Sequence, residues 1–259
     1  MRRLYVPIVL AALLLVGGCG DERPTGATPG ESTARATPAS TATPEPSKHT
    51  SKPTPTAAAP TGPLAGFPLD LDYEEENGDD HSPVEVTNQP GLHRVDYCGH
   101  LAWDPEAGTQ GLIGVEFRGE AEWARGRTLV LYPTVLAATA AVDQARATIA
   151  GCREEPVGDK YVAAHTIYDD VSLGDQSLVW TDTGGYRQDG RIRFDTGLTV
   201  YHLVRVGRAV LGSYEYNEGN GGGPAVRSPS IDSATDADRQ VVTRMREPSR
   251  RLSAPGPAA

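Results

Sequence analysis

Cysteine and histidine are the residue types best suited to chemistry in this 259-residue chain, and one stretch sets the two close together. In Asp96-Tyr-Cys-Gly-His-Leu-Ala-Trp103, Cys98 precedes His100 by two positions. On a strand such positions share a face, so a thiol–imidazole pair is geometrically available. Nucleophile, metal ligand and disulfide partner are the three roles open to Cys98. A zinc site built from Cys98, His100 and Cys152 would need a fourth ligand, and no metal-type spacing supplies it. His202 sits among valines in Val200-Tyr-His-Leu-Val204 and reads either as a core histidine or as a ligand contact. Ser177 lacks the G-x-S-x-G elbow of a hydrolase. Asp169 and Asp170 are adjacent, and adjacent strand residues face opposite ways, which argues against a carboxylate dyad. Trp103, Trp123 and Trp180 are candidate walls of a ligand groove, and Trp103, Trp180 and His202 are taken as its ligand-binding residues. The acidic run Asp70–Ser82 lacks the ligand alternation of a calcium loop, and the glycine-rich run Asn217–Val226 has no phosphate-loop order. The expectation is therefore no catalytic residues, no metal and no cofactor.

An odd cysteine count asks for an explanation, and the N-terminus supplies one. Met1-Arg-Arg3 is basic, and Leu4–Val16 is apolar except for Pro7. That run is shorter than the about 20 residues needed to span a bilayer, but suits a signal peptide. Val16-Gly-Gly-Cys19 follows directly and resembles the lipobox of bacterial lipoproteins. The resemblance implies cleavage after residue 18, acylation of Cys19, and stable anchoring by at least two chains. Cys98 and Cys152 are then left as the two thiols of an oxidising compartment, where pairing is the usual fate.

The chain carries a formal charge of −10, and beyond residue 60 it holds 30 acidic against 18 basic residues. Such a surface repels nucleic acid and anionic lipid headgroups, so neither is an expected partner. Arginine outnumbers lysine 21 to 3, which reads as the codon bias of a GC-rich genome and fits an actinobacterial source. Residues 19–66 are rich in Pro, Thr, Ser and Ala and offer no apolar surface to bury, so they read as a disordered tether. Residues 67–252 are long enough for one folded domain, and 253–259 form a tail.

The elements that must position these residues are legible by period. Strand-like runs cover Val95–Leu101, Leu112–Phe117, Thr128–Tyr132, Tyr161–Tyr168, Ser177–Thr181 and Arg191–Asp195. Two β-rich runs flank Gly207-Arg208, a glycine-first pair that predicts a type II′ hairpin with Val200, His202, Val204 and Val206 on one face. After Pro133, placed in a first helical turn, Val135, Ala138, Val142, Ala145, Ile149 and Cys152 recur at helical spacing. This stripe puts Cys152 on a buried face at a helix end, where it could meet a strand cysteine. A second helix is predicted from near Ser233, with Asp236 completing a capping box and Ala234, Ala237, Val241 and Met245 as its apolar face. The expected fold is α+β, an antiparallel sheet of about six or more strands with two helices packed on it and one disulfide.

With "YCGHLAW", a helix ending in "IAGC", then "LGDQSLVW" and "YHLVRVGRAVL" in that order, residues 67–252 resemble the extracytoplasmic sensor-type domains of actinobacterial lipoproteins and of mycobacterial H-type receptor kinases. Those kinase sensors carry two disulfides, whereas this chain has cysteines for one. The resemblance implies a cleft-bearing α+β domain that senses or binds a ligand without catalysis. The leading expectation is a lipid-anchored protein on the outer face of the cell membrane, partnered by the bilayer through Cys19 and by a small ligand or envelope protein. The groove is expected between the sheet and the 217–223 loop. A cell-envelope hydrolase using His100 or His202, or an interaction module for a membrane partner, are the alternatives.

Overall fold

The structure is a computed structural model that describes residues 59–78, 81–119, 123–218 and 229–247. The predicted signal peptide 1–18, the Cys19 lipidation site, the tether up to residue 58, the glycine-rich stretch from 219 and the tail 253–259 lie outside the described residues.

Seven segments pair into one antiparallel sheet: β3 (Gly111–Arg118), β4 (Ala124–Leu131), β5 (Glu154–Pro156), β6 (Tyr161–Tyr168), β7 (Gln176–Gln188), β8 (Arg191–Val206) and β9 (Ala209–Asn217). Their spatial order is β3-β4-β9-β8-β7-β6-β5, so β5 to β9 run as a meander and the β3–β4 hairpin joins at β9. Helix α1 (Val135–Gly151) carries the chain from β4 to the far edge, and α2 (Pro229–Met245) follows β9. A separate hairpin, β1 (Val95–Tyr97) and β2 (His100–Trp103), lies with α1 on one face of the sheet. Helix α2 and the segment carrying Leu64, Phe67 and Leu69 cover the opposite face. The domain is thus the expected α+β fold, two helices on an antiparallel sheet, with a Cys98–Cys152 disulfide.

Both sheet faces are buried at the centre, which is why β9 opens as a continuous apolar run. Ala209 and Leu211 enter the core under α2, while Val210 enters the core under α1. On the α1 face Trp103 lies against Gly212 of β9, where a Cβ would stand 2.3 Å from the indole ring. The glycine is what lets so large a ring reach the sheet. On the α2 face the stripe Val200, His202, Val204 and Val206 is buried as its alternation predicts. Gly207 opens the β8–β9 turn at φ 58°, as a glycine-first hairpin requires.

Strands β7 and β8 run longer than expected, and four further boundaries differ for a local reason. The predicted strand Val95–Leu101 is two strands, because Cys98 and Gly99 both take positive φ (51° and 75°) and form a tight turn. Cys98 and His100 therefore do not sit at alternate positions of one strand. Thr134, not Pro133, starts α1, since its hydroxyl accepts a 3.1 Å hydrogen bond from the Ala137 N–H. Pro133 sits before the cap, and Val135 is exposed. Helix α2 begins at Pro229, whose missing N–H is harmless in a first turn, so Ser233 and Asp236 lie inside the helix. Leu64, assigned to the tether, is 2% exposed and packs with Phe67 and Leu69 because one large apolar side chain suffices to draw the chain onto the core.

Candidate functional site

Register brings together on the sheet what is far apart in sequence. Asp238 of α2 stands over β8, β9 and β4, and its carboxylate accepts from the Arg127 guanidinium at 3.0 Å, from the Ser213 hydroxyl, and bonds His202 Nδ1 at 2.5 Å. Arg127 donates onward to the carbonyls of Leu71 (2.5 Å) and Leu69 (3.3 Å), tying down the N-terminal segment. Burial pushes the Asp238 carboxyl up, but His202, the Arg127 charge and Ser213 outweigh it and hold the group below its ordinary range. His202 is 1% exposed, with Thr235 on its other nitrogen side at 3.5 Å. Serine, histidine and aspartate types meet here, yet Ser213 and His202 both bond the carboxylate. Histidine and serine share the Asp238 Oδ2 acceptor and are not hydrogen-bonded to each other, so no base is poised on a nucleophile.

The opposite face holds a second constellation, and this one opens to solvent. Trp180 of β7 is fully buried, stacks on Tyr201 (centroids 4.9 Å, 8°) and donates its indole N–H to the Tyr97 hydroxyl at 2.7 Å. Tyr97 in turn donates to Asp182 Oδ2 at 2.8 Å, while His165 Nδ1 bonds Asp182 Oδ1 at 2.8 Å. Burial, then the Asp182 charge, push the Tyr97 hydroxyl far above the ordinary phenol range, so it keeps its proton and donates. Both carboxylate oxygens are thereby oriented, and the Asp182 side chain is still 22% exposed. The alternation of β6, β7 and β8 explains the meeting: His165 pairs with Asp182, and Asp182 pairs with Thr199.

Two hollows share Asp182. One, of about 340 Å³, lies between the sheet and the chain from Gly91 to Tyr97 and is walled by Arg94, Glu116, Tyr201 and Tyr214. Burial, then Glu116, push the Tyr214 hydroxyl up to about 12. The other, of about 660 Å³, runs toward the β7–β8 end and is lined by Tyr161, Asp182, Phe194, Asp195, Thr199, Tyr216 and Glu218, with glycines among them. Its lining holds three aromatic rings and three carboxylates but neither lysine nor arginine. Gly184 and Gly197 make room for the rings: a Cβ at Gly184 would stand 1.7 Å from the Tyr161 hydroxyl, and one at Gly197 would crowd Tyr216. Tyr161 crosses β7 over that glycine to donate to Asp195 at 2.9 Å. Burial, then Asp195, push the Tyr161 hydroxyl up to about 12.

The other residues singled out from the sequence fall elsewhere. Trp103 is buried against Gly212 and borders a hollow of about 340 Å³ between β2 and α1, lined by Ala137, Ala140 and Ala141. Trp123 packs edge-on against Phe117 beneath the Arg125 guanidinium. His100 is exposed beside the hairpin turn. Ser177 closes a turn, donating to Val171 O and accepting from Leu173 N, and Asp169 pairs with Arg146. Of the expected ligand residues, Trp180 is the one that supports the open constellation, from beneath it. Asp182, His165, Tyr97 and the tyrosines were missed, although the alternation of Tyr161, Ala163, His165 and Ile167 in β6 placed the histidine on the same face as the ring of Tyr161.

No helix among the described residues is long and apolar enough to cross a membrane. No protein-family model matches the sequence, and no curated protein matches it. Among solved structures, the chain is similar to the extracellular domain of PknH from Mycobacterium tuberculosis, at 16% identity over 65% of this chain and 81% of that one, with a TM-score of 0.37.

Proposed function

We propose that this chain is an extracytoplasmic lipoprotein whose folded domain binds a small organic cation in the cleft centred on Asp182, without catalysing its conversion. The observation that carries the reading is Asp182 itself. A carboxylate oriented on both oxygens, rigidly backed by buried aromatic groups and still exposed where two hollows meet, is a recognition group prepared in advance. Aromatic faces and carboxylates favour a positively charged ligand, since ring quadrupoles and carboxylates attract cations alike. The larger hollow is lined by neither lysine nor arginine, and Arg94 at the smaller one is already paired with Asp96. Binding, sensing or delivery all fit such a cleft, and the acidic surface disfavours nucleic acid as a partner.

Spermidine and choline serve as probes, with 3,3-dimethylbutanol as the neutral isostere of choline. The cations are expected to raise the melting temperature of the protein and the isostere is not. In calorimetry, Asp195→Asn and Glu218→Gln should each weaken cation binding by up to about tenfold, the equivalent of 1.4 kcal/mol. Equal binding of the isostere, or cation binding untouched by both changes, would sink the reading.

Anchoring rests on the lipobox-like Val16-Gly-Gly-Cys19. Cys19→Ala is expected to move the protein from the membrane fraction to the medium, because two acyl chains hold a protein stably and none does not. Retention of the variant in the membrane, read by immunoblot of both fractions, would count against lipidation.

A further inference from the structure

The Asp182 bond leaves the other nitrogen of His165 without a partner. Nε2 is buried, with the side chain 2% exposed, and makes no hydrogen bond. It faces Glu155 Oε2 at 4.0 Å and the sulfur of Cys152, the three donor atoms lying within 4.8 Å of one another. Among the described residues this is the one group of three or more such donors close enough to share an ion. Cys98 adds a fourth, since it is joined to Cys152. Four elements converge to build the cluster: the end of α1, the start of β5, strand β6 and the β1–β2 turn.

We infer that reduction of the Cys98–Cys152 disulfide creates a zinc site made of Cys98, Cys152, His165 and Glu155. Two thiolates, one imidazole and one carboxylate form a four-donor set of the kind zinc takes in tetrahedral sites, at about 2.0–2.3 Å from the metal. Ligand atoms on such a tetrahedron stand about 3.3–3.8 Å apart, so the cluster needs only side-chain adjustment to close around an ion. The outer partner of the histidine is already in place. Metal-ligating histidines almost always donate their other ring N–H to a carboxylate or carbonyl, and Asp182 is that carboxylate for His165. This also accounts for a buried, unpartnered imidazole nitrogen, which is otherwise a destabilising feature. His100, the histidine near Cys98 in sequence, is exposed and has no part in it.

The redox step balances with a dithiol as reductant. Two electrons and two protons pass from the dithiol, which closes to its own disulfide, while the Cys98–Cys152 bond breaks and each sulfur gains a proton. Zinc binding then releases those two protons to solvent as the thiolates coordinate. In the disulfide-bonded chain both sulfurs lack the thiolate lone pair, and the site does not form. The proposal is a metal site gated by the redox state of the staple, and it stands independently of what the cleft binds.

The test uses the full chain, oxidised and dithiol-reduced, titrated with cobalt(II) as the spectroscopic stand-in for zinc. The reduced protein should take one cobalt per chain, with thiolate charge-transfer absorption and intense tetrahedral d–d bands, and zinc should displace it. The oxidised protein should show neither band. His165→Gln should weaken binding by more than a hundredfold and change the d–d bands. Asp182→Asn should weaken it by about ten- to a hundredfold, through the lost carboxylate on His165 Nδ1. Far-UV circular dichroism accompanies each titration, so that a reduced chain unfolded before metal addition is recognised, and zinc is then expected to restore its native spectrum. The inference is overturned if the reduced chain binds no cobalt. It is equally overturned if His165→Gln binds with unchanged bands and affinity, if the oxidised chain binds as well, or if zinc fails to refold an unfolded reduced chain.

Discussion

Asp238→Ala is expected to destabilise the domain by about 3–5 kcal/mol, the range for removing one partner of a buried ion pair. The size follows from what is left behind. Arg127 keeps its charge with its side chain 3% exposed, while His202 and Ser213 lose their shared acceptor. An uncompensated buried charge costs more than the lost attraction. Arg127 also holds the Leu69 and Leu71 carbonyls, so the segment that seals the α2 face loosens with it. Denaturant unfolding measures the effect, and a change under 1 kcal/mol would show that the network contributes little. The double change Arg127→Met with Asp238→Leu should be milder than Asp238→Ala, because an apolar pair of similar volume leaves no orphaned charge. The pH dependence has a definite sign. The Asp238 carboxyl lies below its unfolded value in the folded state. Its contribution is therefore present above the unfolded value of about 3.9 and is lost as pH falls through the folded value. Acid unfolding of the wild type should thus be steeper below about pH 4 than that of the double variant.

Loss of the disulfide ranks second. For cysteines 54 positions apart, the chain-entropy model assigns about 4 kcal/mol to the constraint on the unfolded state. Reduction, or Cys98→Ala with Cys152→Ala, should lower the melting temperature by about 8–16 °C for a domain of this size. The native state feels the change as well. The β1–β2 hairpin forms its own two-stranded ladder apart from the main sheet, and its Cys98 end is held to the end of α1 through this bond. Releasing it frees the strand that carries Tyr97, hence one of the two groups orienting Asp182. Differential scanning calorimetry on oxidised and reduced protein reads the first effect. Faster amide exchange over 95–103 reads the second. An unchanged melting temperature would mean that reduction is offset by native-state relaxation or residual structure in the unfolded chain.

Much of the architecture was legible because it depends on short-range patterns. The α1 stripe ending at Cys152, the Gly207 hairpin and the alternation through His202 all rest on periods of 3.6 or 2, which local sterics impose. The disulfide was legible for a different reason: once Cys19 is set apart, two thiols have one pairing. Misreadings occurred where one residue's backbone overrides the pattern around it. Cys98 with positive φ turned a predicted strand into a hairpin, and Thr134 and Pro229 started helices at positions the apolar stripes do not mark.

The candidate site was barely legible at all. His165 and Asp182 are 17 positions apart, and Tyr97 and Asp182 are 85 apart. Nothing in either segment announces the other. Their meeting is set by the register of β6 on β7 and by a hairpin docking over both, and a one-residue slip would send Asp182 to the opposite face. The histidine near Cys98 in sequence proved irrelevant to it, and the one near it in space was His165. Sequence alone determined what this protein could build locally and where its chain could be stapled, because periodicity, turn chemistry and cysteine parity are local or combinatorial constraints. Only the tertiary structure decided which buried histidine bonds which carboxylate and which carboxylate faces the cleft, because that choice is made by strand register and burial.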